Sequence, residues 1–105
     1  MTDATSTPPS APGEAVLAAT MQRLLTHLRH RTDVQNVDIM GTAGFCRNCL
    51  ADWLMEADGS MTREQARTYV YGMPYGDYKD AHQTPASEAQ LAAMKESVAK
   101  NADAG

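Results

Sequence analysis

A chain of 105 residues and 11.4 kDa has room for a single domain with a modest core, and 43% hydrophobic with 21% charged residues excludes a wholly disordered polymer. Thirteen acidic against nine basic residues leave a net charge of -4 and a pI near 5.2, which argues against nucleic acid as a partner, because a polyanion demands the opposite balance. No run of about eighteen apolar residues offers a membrane span, and the start MTDATSTPPSAPGEA lacks the basic-then-apolar order of a secretory signal, so a cytoplasmic location with no membrane partner is expected.

Residues 1–13, rich in Thr, Ser, Ala and Pro with Pro8, Pro9 and Pro12 as breakers, read as a disordered tail. The pattern changes at Glu14. Leu17, Met21, Leu24, Leu25 and Leu28 form a helical stripe, which predicts a first helix to about Arg31. The stretch from Asp33 to Met40 mixes Val34, Val37, Ile39 and Met40 with residues that favour caps, and reads as a short helical turn or a tight connection. From Phe45 the period places Cys46, Cys49, Leu50, Trp53, Leu54 and Ala57 on one side of a helix, with Arg47 and Asn48 facing away. Gly41 and Gly44 strip bulk from the approach to that helix, so another backbone can come close.

Asp58-Gly59-Ser60 closes it as a turn, and Thr62 with Gln65 then fits a capping box that opens a helix to about Tyr71. Gly72 suits the left-handed residue that ends such a helix, and Pro74 suits the first position of the next, which carries Tyr75, Tyr78 and His82 on one side. Thr84-Pro85, or alternatively a capping box of Ser87 with Gln90, begins a last helix with the thin stripe Leu91, Met94 and Val98. No period-two run or hairpin turn is present, so the class is all-α: a compact bundle or array of four to five short helices over residues 14–100, with residues 101–105 fraying.

The sharpest chemical signal is the pair Cys46 and Cys49. Two cysteines at this spacing on a helix lie close enough to share a metal or to form a disulfide, and in a reducing compartment they are free, metal-bound or transiently paired. Zinc needs about four ligands, and His27 and His30, three apart on the first helix, complete a formal two-His, two-Cys set. Thioredoxin-like chemistry needs the first cysteine in the first helical turn and a strand feeding it; no strand precedes it here, and a helix starting near Asn36 would bury Cys46 too deep along the helix. Against both readings stands the position of the cysteines in the apolar stripe, where a free Cys packs as a small hydrophobe. Arg47 and Asn48 are candidates for pairing with Asp33 or Asp38, or for an anion together with Arg23. Tyr71, Met73 and Tyr75 are candidates to line a binding groove, since Tyr combines an apolar body with a polar tip.

Three segments in order, DVQNVDIM from Asp33, AGFCRNCL from Ala43 and VYGMPY from Val70, resemble the short bacterial proteins called domain of unknown function twelve forty-four, also termed SMc-type hypothetical proteins. The resemblance covers roughly Leu24 to Gln90. It implies a small all-helical fold and a bacterial, mainly proteobacterial, cytosolic origin, and it implies no activity. The family pattern includes a histidine at His27 and both cysteines but not usually one at His30, which weakens the four-ligand zinc set. It also often has Trp at Tyr78 and Tyr at Leu54.

The reading that follows is a helical binding or regulatory module rather than an enzyme. It is expected to associate with itself or another protein, because a core this small gains stability by covering Met and Tyr surface. Its candidate binding residues are Arg47, Asn48, Tyr71, Met73 and Tyr75. The alternative is a metal or thiol redox site of Cys46 and Cys49 with His27, with zinc as the cofactor.

Overall fold

Where helices stop and restart determines this architecture. The computed structural model describes residues 10–104 and contains, among them, six α-helices: α1 (Glu14–His30), α2 (Asn36–Ala43), α3 (Arg47–Ala57), α4 (Arg63–Tyr71), α5 (Tyr75–His82) and α6 (Glu88–Ala99). The all-α class holds, with six helices in place of the four or five expected. The extra one arises because the stretch from Asn36 forms its own two-turn helix. Most of the expected N-terminal tail, residues 1–9, lies outside the described residues.

Gly44 separates α2 from α3. Its φ of 78° is left-handed, its N–H closes α2 on the Met40 carbonyl, and a Cβ there would stand 2.6 Å from Asn101 Oδ1. The approach expected at the glycines is therefore found, and what approaches is the far end of the chain. Asn101, in the 3-10 turn Lys100–Ala104 that follows α6, donates to the Gly44 carbonyl at 2.9 Å, and Ala93 of α6 lies against Gly41. Both predicted capping boxes form: Thr62 with Gln65 opens α4, and Ser87 with Gln90 opens α6. Thr84 and Pro85 instead belong to the irregular segment between α5 and α6.

The principal packing pairs are α3 with α4, α1 with α4, α4 with α5, and α2 with α6. The buried cluster is small: Leu25 of α1, Leu50 and Ala51 of α3, Ala66, Val70 and Tyr71 of α4, and Tyr78 of α5. Arg29 of α1 ties the first helix to α4 by donating to the Tyr69 and Val70 carbonyls, which lie in the last turn of α4 and lack partners within it. Gly72 leaves room for that side chain, whose Cδ passes 3.1 Å from where a Cβ would stand. Val16 and Leu17 at the start of α1 stay 57% and 53% exposed, and α6 buries no residue fully. A radius of gyration of 16.4 Å, against about 13 Å for a compact domain of about 100 residues, reflects these unwrapped ends.

Candidate functional site

Arg47, the first residue of α3, is only 2% exposed. Its Nη1 donates to the Val34 carbonyl and to Asn36 Oδ1, both at 2.9 Å, and its Nη2 donates to the Arg31 carbonyl at 2.9 Å and the Leu28 carbonyl at 3.2 Å. These carbonyls belong to the end of α1 and the turn after it, where helical partners run out and the helix dipole is negative. A buried guanidinium is tolerable only with such satisfaction. The face of Tyr78, with its ring centroid 5.6 Å from Cζ, completes the surroundings. Asp33 pairs with Arg31 at 2.9 Å rather than with Arg47, so the expected carboxylate pairing is replaced by carbonyls.

From Arg47 a chain of hydrogen bonds leads outward. Asn36 Nδ2 donates to the Tyr71 hydroxyl at 2.9 Å, that hydroxyl donates to Asn48 Oδ1 at 2.7 Å, and Asn48 Nδ2 donates to the Tyr75 hydroxyl at 3.3 Å. Burial, opposed in part by the Asn36 hydrogen bond, pushes Tyr71 ionisation well above the usual range, so the hydroxyl stays a neutral bridge. Tyr75 is braced on Arg67, whose Cζ lies 4.7 Å from the ring centroid.

The outer end of this network lines a recess of about 250 Å³ formed by Gln35, Asn36 and Val37 of the α2 start, Asn48, Tyr75 and the segment Gln83 to Ala86. Gln35 fixes that segment as a wall: its Nε2 donates to the His82 carbonyl at 2.9 Å and its Oε1 accepts from the Thr84 N–H at 3.0 Å. The lining is amide, hydroxyl and apolar, with no charged side chain.

The cysteines sit beside this network. Because α3 starts at Arg47, Cys46 is the N-cap, in extended conformation with φ -147° and ψ -174°, and Cys49 is the third helical residue. A helix running from Asn36 through Cys46, which would have set Cys46 too deep, does not form: the left-handed Gly44 ends α2 and a new helix starts at Arg47. Cys46 is buried, Cys49 is partly exposed, and both are free thiols. Burial pushes the Cys46 thiol up, while the backbone amides of Cys49 and Asn48 pull the other way and the neighbouring Cys49 side chain adds to the rise.

The family pattern described as a protein of unknown function (DUF1244) matches residues 34–96, well over half of the chain. The chain belongs to this family. The matched stretch runs from the turn held by Arg47 through most of α6, so it takes in both cysteines, the polar network and the recess. It does not reach His27, which the resemblance had included. No curated protein matches the sequence closely enough to count as a relative.

Within this member of the DUF1244 family, the structure brings Asn48 and Tyr75 to the recess and places Arg47 and Tyr71 beneath it as supports, whereas Met73 packs against the core. His27 and His30 are exposed on α1 and are not gathered with the thiols. Among the described residues no group of three or more His, Cys, Asp or Glu side chains is placed to hold a metal ion. The anion set is not assembled either, since Arg23 is exposed on α1 while both terminal nitrogens of Arg47 are engaged. Trp53, expected in the core stripe, is 50% exposed and stacks on Phe45 with centroids 5.9 Å apart. The buried stripe of α3 is Arg47, Leu50 and Ala51, with Leu54 packed against the core at its edge. The sequence reading missed Gln35 and treated Asn36 and Thr84 only as helix starts. The available signal was amide side chains flanking an apolar turn.

Proposed function

We propose that this chain is a small non-enzymatic binding module of the cytoplasm that works as a self-associated assembly, with its ligand site in the recess at Asn36, Asn48 and Tyr75. The observation that carries the reading is the recess itself: a concave site whose polar groups are held from beneath by Tyr71 and Arg47 and so are set before any ligand arrives. Its volume of about 250 Å³ lies just under the range of about 300–1,000 Å³ usual for ligand pockets, which fits a fragment of amino-acid size. The uncharged lining suits neutral hydrogen-bonding groups such as amides and hydroxyls.

Self-association is supported by Val16 and Leu17, each more than half exposed on α1, together with a core that contains two alanines among its seven fully buried members. Light scattering coupled to size exclusion is expected to show a dimer or larger species at high micromolar protein, and a strict monomer there overturns that part. For the recess, a library of small neutral amides and alcohols followed by amide chemical shifts is expected to perturb Asn36, Asn48 and Thr84 together. Shifts confined to other surfaces remove the recess as the site.

A second reading, reversible thiol redox at Cys46 and Cys49, is favoured by one observation: Cys46 occupies the N-cap of α3, with Cys49 in the first turn beyond it. Titration against mixtures of reduced and oxidised glutathione tests it, a two-electron transition being the expected result.

A further inference from the structure

We infer that Cys49 is the entry thiol and Cys46 the resolving thiol of a site that exchanges with small-molecule disulfides of the glutathione class. This assignment rests on the thiol redox reading above and deepens it by giving each sulfur a role.

Access sets the order. Cys46 is only 6% exposed, whereas Cys49 is partly exposed and is the thiol that a reagent from solvent reaches. Cys49 also lies one helical turn from Trp53, so the two share a face of α3, and Trp53 is half exposed with Phe45 stacked on it. An apolar aromatic rim suits the carbon–sulfur chain of a small disulfide. A thiol that is only partly open beside this rim is more accessible to such a molecule than to the surface of a folded protein.

The backbone allows the second step. The Cys49 N–H donates to the Cys46 carbonyl at 3.0 Å, closing a tight turn between the two. Residues three apart on a helix hold their Cβ atoms about 5–6 Å apart, and a disulfide needs about 3.5–4.5 Å, so closure takes about 1–2 Å of movement. Cys46 is the residue placed to supply it, because as N-cap it has extended dihedrals and is not locked into the helix as Cys49 is.

In the first step the Cys49 thiolate attacks one sulfur of the disulfide, its S–S bond breaks, and one thiolate leaves. That thiolate takes the proton of Cys46. The Cys46 sulfur, now a thiolate, then attacks the Cys49 sulfur and expels the second thiolate. The second thiolate acquires the proton that Cys49 gave up. The sum is one dithiol and one disulfide converted to an intramolecular disulfide and two free thiols.

The probe is glutathione disulfide added to the native chain, read by intact mass and peptide mapping. Wild type is expected to lose two hydrogens and retain no adduct, C46S to retain one glutathione on Cys49, and C49S to retain none on Cys46. An adduct on Cys46 of C49S that forms as fast as that on Cys49 of C46S overturns the order, while disulfide formation in wild type still upholds redox chemistry. Wild type that forms neither disulfide nor adduct at any glutathione ratio overturns both. Brief alkylation of native wild type gives an independent check without any substitution. Cys49 is expected to label at least about tenfold faster, since a buried thiol reacts only on local opening, and equal rates overturn the assignment.

Discussion

The interior around Arg47 and the arms formed by the start of α1 and by α6 invert the usual distribution of side chains. The interior holds a guanidinium that is 2% exposed and met by three backbone carbonyls and an asparagine, while the arms leave Val16, Leu17, Leu91 and Val98 each more than 40% open to solvent. A charge is tolerable inside because the end of α1 and the turn after it present converging carbonyl oxygens, of which only that of Arg31 also meets a backbone N–H, from Val34. Apolar residues are left outside because α1 extends beyond the part that α4 covers and α6 packs chiefly on α2 and on the 3-10 turn that follows it. A polar joint thereby ties α1, α2 and α3 together, while the start of α1 and α6 leave apolar side chains at the surface, as α3 does at Trp53.

The sharpest test of this contrast is Arg47→Leu. Removing the donors leaves the Leu28 and Val34 carbonyls and Asn36 Oδ1 without their partner, while the Arg31 carbonyl keeps only the Val34 N–H, and the expected loss is about 3 kcal/mol or more, read as a lower urea midpoint at unchanged slope. A loss no greater than that of Leu91→Ala would break the comparison. Gly44→Ala should cost about 2 kcal/mol, because a side chain is strained at left-handed dihedrals and its Cβ would meet Asn101. Hydrogen exchange should then show α6 losing protection before α4. Tyr71→Phe removes the hydroxyl between Asn36 and Asn48 and should cost about 1 kcal/mol, with the Tyr75 ring resonances shifting as its brace through Asn48 loosens.

On the arms, Leu17→Ser should change the unfolding free energy of the isolated chain by less than about 0.5 kcal/mol, yet lower the assembled fraction in light scattering. The smallest effect concerns the exposed pair beside the joint. The Arg31 hydrogen bond holds the Asp33 carboxyl down at about 2. With the folded value below the ordinary one, its contribution is present above about pH 4 and is lost as pH falls towards about 2. Carboxyl titration by NMR should show Asp33 returning to the ordinary range in Arg31→Ala.

Much of the site could be named from the chain alone, since Asn48, Tyr71 and Tyr75 stand next to a helix start and a Gly-Met-Pro break. Their roles could not. Arg47 and Asn48 read alike as binding candidates facing away from the apolar stripe, yet one became the hub of the interior and the other the edge of a recess. The wall at Gln83 to Ala86 was missed because its placement depends on Gln35, whose partners lie 47 and 49 residues away.

What the sequence determined is what hydrogen bonds spanning a few residues control: the helical class, the capping boxes at Thr62 and Ser87, the left-handed stop at Gly72, and the room at Gly41 that α6 fills. Tertiary structure decided the phase of α3. Leu50 and Leu54 fit either the predicted stripe or the observed one, so periodicity could not choose between Trp53 and Arg47 as the inward residue. The choice fell to backbone carbonyls contributed by residues 13 to 19 positions away, which the two terminal nitrogens of one guanidinium meet together. Turning Arg47 inward left Trp53 half exposed, one turn along α3 from Cys49 and stacked on Phe45.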